Sequence, residues 1–304
     1  MSISLASRSR PSWQVREPPP PTGRPLKAAA HLPGLRRVVA PNPGPMTGHG
    51  TNSWLVDHPG GTAIIDPGSD HPAHLEALLA AAGGRITHIL LTHTHRDHLT
   101  GARPLGQMAG APVCGFRHSA VPSFTPDIAL DDGSVVAGLT VLHTPGHATD
   151  HLCFLTADGI LFTGDHIMGW STTMVPPAPD GSVRQFLDGL ARIGALAPSL
   201  LLPAHGPPIP TPESCIRALI AHRLSREERI LAALHQGPAT LDEMMRRVYR
   251  AIPPTLRRAA ELNLLAHLEK LRDDGRAIHD RDGWRATTAH GESPPSQVPG
   301  RPCP

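Results

Sequence analysis

The sequence predicts an α/β protein in which helices cover sheet faces, followed by a smaller helical module, and three observations carry that reading. From residue 53 to residue 205, apolar runs of strand length alternate with segments whose apolar residues recur at helical spacing. The dense His and Asp clusters in that span directly follow such runs, as loop residues at strand ends do. Beyond residue 224 the strand-length runs give way to three helical segments and a short hairpin.

The elements follow in order. SWLVD (53–57) and GTAIIDPG (61–68) read as two strands joined by a His58-Pro59-Gly60 turn. His71 to Ala82 reads as a helix with Asp70 as its N-cap. ITHILLTH (86–93) is a buried strand, and Leu99 to Met108 a second helix. Between residues 112 and 164, PVCG, SVVAGLTVLH, HLCFLT and GILFTG are further strands. Residues 182–196 return to a helix, since Val183, Phe186, Leu187, Leu190, Ile193 and Leu196 share one face. SLLLPAH (199–205) is a last short strand.

In the C-terminal module, REERILAALHQ (225–235), TLDEMMRRVYR (240–250) and LRRAAELNLLAHLEKLRDDG (256–275) are helices, interrupted by Gly237-Pro238 and Pro253-Pro254. RAIHDRDGWRAT (276–287) reads as two strands around an Asp282-Gly283 turn. Three helices and a β-wing describe a winged helix. The sequence therefore divides into a Pro-rich disordered tail (1–36), a catalytic domain (37–223), a winged-helix-like domain (224–287) and a second disordered tail (288–304).

Composition narrows the function. At 304 residues with 39% hydrophobic content, the chain can build a sizeable core. No apolar stretch approaches the roughly 20 residues a helix needs to cross a membrane, and residues 1–36 lack the apolar core of an export signal. The expected compartment is the cytoplasm. Cys114, Cys153, Cys215 and Cys303 show no CxxC spacing, so they read as reduced thiols rather than a disulfide framework or a thiolate zinc site. Residues 37–223 hold nine Arg against fourteen Asp/Glu, so the central domain is no magnet for nucleic acid. Residues 224–287 hold twelve Lys/Arg against ten acidic groups. For Arg246, Arg247, Arg250, Arg257 and Arg258 two readings stay open: phosphate contacts, or a solvated face on a module that packs against the catalytic domain or a second copy of the chain.

The motif THTHRDHLTG (92–101) places His93, His95, Asp97 and His98 just beyond a strand. His147 sits in TPGHATDH, Asp165 in FTGDHIMG and His205 in LLPAHGPP, each also after an apolar run. Neutral imidazoles suit zinc, and a carboxylate between two cations bridges them and balances charge. His93, His95 and His147 make three nitrogen ligands for one ion; Asp97, His98 and His205 hold the other, with Asp165 bridging. Two ions about 3.5–4 Å apart can hold a hydroxide at neutral pH and stabilise the oxyanion its attack creates. Zinc is the expected metal, two per chain, with Mn or Fe as alternatives. His49, His71, His74, His118, His222, His235, His267, His279 and His290 lack such a setting and read as surface residues. His151 and His166, beside the ligand loops, are read either way: as surface residues or as partners that orient ligands.

HxHxDH, the later TPGH, TGD and AHG loops and the upstream IIDPG (64–68) together resemble the metallo-β-lactamase superfamily over about residues 38–223. The resemblance implies a four-layer αββα sandwich with a binuclear metal site at one edge, and gives Asp66 a structural acidic position beside it. NPGPMTGHGTNSWLV (42–56) is similar to the opening of the lactamase-like branch that carries a C-terminal winged helix and includes endoribonucleases. The sequence also departs from other branches. The step from Asp165 to His205 leaves no room for the inserted domain of RNA-processing β-CASP enzymes. AHGPP stands where hydroxyacylglutathione hydrolases carry a loop resembling GHEYT, and Tyr249, the only tyrosine, lies far from the metal motifs in sequence, unlike in lactone hydrolases of this fold.

The expected activity is hydrolysis by a metal-bound hydroxide, with Asp97 accepting a proton as the hydroxide attacks. Two substrates stay open: single-stranded RNA, cut at its phosphodiesters, or a small ester or thioester of the hydroxyacylglutathione-hydrolase type. A third reading, a non-catalytic nucleic-acid-binding regulator, has no use for seven complete ligands. No membrane partner is expected, and a homodimer is an open alternative.

Overall fold

Alternation along the strands decides the layers of this fold. The computed structural model, which describes residues 32–249 and 251–287, contains two facing sheets. The first runs in sequence order through β1 (Leu35–Val39), β2 (Asn52–His58), β3 (Gly61–Ile65), β4 (Ile86–Leu90), β5 (Val113–Phe116) and β6 (Ile128–Leu130). The second comprises β7 (Val135–Val136), β8 (Leu139–His143), β9 (Leu152–Leu155), β10 (Ile160–Gly164) and β11 (Leu200–Pro203), in the spatial order β11-β10-β9-β8-β7.

Side chains of period two supply both faces of each sheet. Trp54, Ala63, Ile65 and Leu90 of the first sheet meet Val141, Phe154, Phe162 and Leu202 of the second in one buried cluster. The alternate residues Leu55, Ile64 and Ile89 face outward onto α1 (Pro72–Ala82) and α3 (Ala102–Ala109) through Leu75, Leu78 and Leu105. On the far side, Leu142, Cys153, Leu161 and Leu201 pack on α4 (Val183–Ala195) and α5 (Pro212–Leu234) through Phe186, Leu190, Ile193 and Ile216. The result is the four-layer αββα sandwich. Parallel pairing of β3, β4 and β5, and of β10 with β11, sends their C-terminal ends to one edge.

A separate cluster builds the C-terminal module. Ile230 and Leu234 of α5, Met244 and Met245 of α6 (Leu241–Val248) and Leu264, Leu268 and Leu271 of α7 (Arg257–Asp273) enclose Trp284. The wing is β12 (Ala277–Asp280) paired with β13 (Gly283–Ala286). Thr240 and Glu243 close a capping box on α6, which fixes where that helix starts.

Several expectations change. Leu35 and Arg36 were assigned to the tail but begin β1, where Arg36 makes a two-point ion pair with Asp57; residues 1–31 and 288–304 lie outside the described residues. Asp70 does not cap α1: His71 is the N-cap, without a side-chain bond, and Pro72 supplies the first helical position. The second helix is split, with α2 (Arg96–Leu99) carrying two of the site residues before Gly101 opens α3. The helix expected at 225–235 is the second half of α5, which runs unbroken through the 223/224 boundary and is shared by both cores. The wing turns at Arg281-Asp282, with Gly283 already paired in β13. Cys114, Cys153 and Cys215 are free thiols. Among the described residues, no helix is long and apolar enough to cross a membrane.

Candidate metal centre

The loops leaving β3, β4, β8, β10 and β11 meet at the shared sheet edge. Two cross-sheet bonds hold them in register: Leu152 N donates to Thr92 O at 2.6 Å, and Asn52 N to Ala204 O at 2.7 Å. Gly164 ends β10 at φ 49°, where an added Cβ would lie 2.7 Å from both Thr92 and His151. Only glycine lets the Asp165 loop turn so close to the His93 strand.

All seven residues singled out by spacing come together. Three triads, His93/His95/His147, His93/His98/Asp165 and Asp97/His98/His205, each bring their ligand atoms within 4.8 Å of one another. In the first, His93 Nε2 and His147 Nε2 lie 2.9 and 3.0 Å from His95 Nδ1. The Asp165 carboxylate stands between the groups. Its Oδ2 is 3.6 Å from His147 Nε2, and its Oδ1 is 3.2 Å from His205 Nε2 and 3.6 Å from His98 Nε2. Asp97 Oδ2 is 3.2 Å from His205 Nε2, on the more open side.

Fixed tautomers aim the free nitrogens inward. His147 donates from Nδ1 to Met174 O (2.7 Å), and His205 from Nδ1 to Gly50 O (3.4 Å). His98 donates from Nδ1 to Asp66 Oδ2 (2.9 Å). Burial lowers all three rings, but the Asp66, Asp97 and Asp165 carboxylates raise His98 well above the ordinary imidazole range and Asp165 and Asp97 raise His205, favouring a proton on the Nε2 that a cation would replace, whereas His147 stays lowered. Burial, then the neighbouring rings, pushes His93 well below the ordinary imidazole range and His95 to about 4, so both are neutral. Burial would raise the Asp165 carboxyl, but the His205 and His98 rings outweigh it and hold it well below the usual carboxylate range.

His98 Nε2, His205 Nε2 and Asp165 Oδ1 are buried without a hydrogen-bond partner, although they point at one another. Orphaned polar atoms in a core cost about 1–3 kcal/mol each. Three neutral nitrogens on one side, a carboxylate and two nitrogens on the other, and a carboxylate between them are the donor set of a metal pair. The residues fit that group.

Supporting residues come from distant segments. Asp66, at φ 50°, accepts Thr92 N (2.8 Å) and Thr92 Oγ1 (2.7 Å) besides His98. A non-glycine residue in the left-handed region is strained, and here three hydrogen bonds to its carboxylate hold it in place. The NPGPMTGHGTN segment has a similar task, since Thr51 Oγ1 donates to Asp97 O at 2.9 Å. His151 is a partner: its Nε2 accepts Asp165 N at 3.1 Å, and its Nδ1 pairs with Thr144 Oγ1 at 3.0 Å. His166 is buried against Phe186 and bonds to no ligand. His74 and His267, expected at the surface, are buried. His74 Nε2 donates to Pro67 O at 2.7 Å and so anchors the Asp66 turn. His290 lies outside the described residues.

Sequence reasoning missed Asp150 and Arg223. Asp150, buried in TPGHATDH, accepts Thr94 Oγ1 and Ala120 N, tying the His95 loop to the His147 loop. Arg223, 2% exposed on α5, donates to Thr173 O and to Asn263 Oδ1 (2.8 Å) and lies 4.9 Å over the Phe186 ring. Thr173 Oγ1 in turn donates to Asp165 O (2.7 Å). The 165–175 loop is thus braced from behind by the shared helix and by α7.

This fold and donor cluster define a metal-dependent hydrolase type of site. The chain matches the metallo-beta-lactamase superfamily over residues 46–205 and the beta-lactamase associated winged helix domain over residues 240–284, and it belongs to that superfamily. A beta-lactamase-like protein 2 homolog of Drosophila melanogaster is 31% identical over 265 residues, covering 79% of this chain and 88% of its own. The crystal structure of a metallo-beta-lactamase family protein from Thermus thermophilus is similar at 27% identity and TM-score 0.71, covering 84% of this chain and 99% of its own. Another similar structure, 28% identical with a TM-score of 0.50, covers 59% of this chain and 96% of its own, and was solved in a di-iron-bound form. Divalent metal binding follows from the fold; the candidate ligands are those above.

Proposed function

We propose that the chain is a dinuclear zinc hydrolase of a small, apolar ester or thioester. His93, His95 and His147 would hold one ion, Asp97, His98 and His205 the other, and Asp165 would bridge. When bound, the pair supplies a Lewis acid and a water-derived nucleophile at neutral pH. Burial favours the neutral form of Asp97, but the His98 and His205 rings prevail and keep its carboxyl at about 2. An ionised Asp97 on the open side would serve as the acceptor that orients the attacking water.

The observation that carries the substrate class is a cavity of about 300 Å³ bordered by Met168 and Trp170–Met174 of the loop that follows Asp165, and walled further by Met46, Ile252 and Leu256. Its wall includes Thr173 and Met174, whose oxygens bond to Asp165 and His147. Such a cavity suits an apolar acyl group. RNA finds less support, because the described members of the module's arginine cluster, Arg246, Arg247, Arg257 and Arg258, are engaged. Arg246 and Arg257 pair with Asp242, and Arg258 pairs with Glu261. Arg247 donates to the carbonyls of Ala233 and Gly237. Arg250 lies outside the described residues.

Zinc-loaded protein assayed on an aryl thioester and on single-stranded RNA tests the reading. Thioester turnover that changes less than about threefold between 50 and 500 mM salt is expected, since a small substrate displaces few counterions. RNA cleavage that falls steeply with salt, without thioester turnover, would refute it.

A further inference from the structure

The cavity behind the metal loop contains a cation without an anion. Arg226 and His222 of α5, Asn263 of α7 and Tyr249 line it opposite the Ser171–Thr173 segment, and no Asp or Glu lines it among the described residues. The Arg226 guanidinium lies 4.7 Å over the Tyr249 ring, its Nε is buried without a hydrogen-bond partner, and it makes no ion pair among the described residues. Other partly buried cations of the module are matched: Lys270 and Arg276 both reach Glu227 (2.8 and 2.6 Å). Behind Arg226, the buried Arg223 adds positive potential with only neutral acceptors. A desolvated cation without a counter-charge is costly, and an incoming anion relieves that cost.

Burial and the adjacent Arg226 bring His222 to about 4, so it is a neutral hydrogen-bonding group and the charge in the cavity belongs to Arg226. Apart from the Ser171–Thr173 segment the remaining lining is apolar and includes an indole and three thioethers, which accept a flat ring. We propose that this cavity binds an amphipathic organic anion, a flat apolar body with one anionic substituent held by Arg226, and that this anion is part of the substrate's acyl group. The proposal rests on the ester-hydrolase reading for the last clause and on the cavity alone for the first.

Calorimetric titration of the zinc-loaded protein with 2-naphthalenesulfonate and with its neutral analogue, methyl 2-naphthyl sulfone, tests it without turnover. The sulfonate should bind about tenfold tighter, the size of one charge-assisted hydrogen bond. Arg226→Gln should bring the two within about twofold of each other while sulfone affinity is kept, which also shows that the cavity is intact. Ile252→Trp, which fills the apolar end, should abolish both. Equal affinities in the wild type, a preference that survives Arg226→Gln, or binding unaffected by Ile252→Trp would overturn the proposal; the last of these decides if Arg226→Gln does not fold. Sulfonate binding without ester turnover would leave the cavity assignment standing and remove the proposed reaction. Turnover without the sulfonate preference would do the reverse.

Discussion

The 165–175 loop has two faces, and they are built on opposite principles. Its inner face sets carboxylates among imidazoles: Asp165 lies within 3.6 Å of His98, His147 and His205, and each of these rings is pinned by a carbonyl or carboxylate. Its outer face meets α5 and α7, where Arg223 and Arg226 have neutral acceptors or an aromatic ring but no carboxylate among the described residues. Two carboxylates among five imidazoles call for cations; a guanidinium in an apolar cavity calls for an anion. The difference separates the face of the candidate metal ligands from the face we propose for the organic part of a substrate.

Mutations should divide along that line, and the largest effect belongs to the bridge. Asp165→Ala removes the carboxylate proposed to bridge the two ions, so both ions should be lost and hydrolysis should fall by about three orders of magnitude. Elemental analysis beside the rate checks this, and His205→Ala, by contrast, should deplete chiefly one ion. Asp66→Ala touches no ion but frees His98 Nδ1 and Thr92. Metal affinity should drop about 10–100-fold, read by competition with a chromogenic chelator. If affinity stayed unchanged, His98 would be oriented without Asp66.

On the outer face, Asn263→Ala leaves Arg223 Nη1 without its acceptor while metal ligands are untouched. Thermal melting should show a loss of about 1–3 kcal/mol with metal content retained. Loss of metal instead would mean that the brace reaches the ligands more strongly than the hydrogen bonds imply. The smallest effect is expected at the module's exposed pairs. Arg246→Glu with Arg257→Glu should change stability by less than about 1 kcal/mol and ester turnover by less than about twofold. A large loss confined to RNA cleavage would shift the substrate toward nucleic acid.

The metal face was legible because its signal is local. THTHRDHLTG, TPGH, FTGD and AHG each set ligands within a few residues of an apolar strand end, and strand geometry then carries them to one edge. The outer face was not, because its members meet only in space: Arg223 acts on Thr173 and Asn263, 50 and 40 residues away. Residues 213–234 contain neither Gly nor Pro, which predicts the unbroken α5 and places Arg223, Glu227 and Ile230 on one buried stripe. β1 was missed because LRRVV is only partly buried, and Arg36, one of its two arginines, is matched by Asp57 across the sheet. β6 is three residues long, and its pairing to Cys114, Gly115 and Phe116 leaves no trace in a local window. His74 and His267 are interior histidines because long-range packing, not flanking sequence, covers them.

The central claim is that seven side chains at one sheet edge hold two ions through a shared carboxylate. Titration of metal-depleted protein with Co(II), followed by its visible absorption and by elemental analysis, measures this most directly. The account predicts an endpoint of two ions per chain, dropping to one or fewer in Asp165→Asn. An endpoint of one ion in the wild type, unchanged by Asp165→Asn, would contradict it.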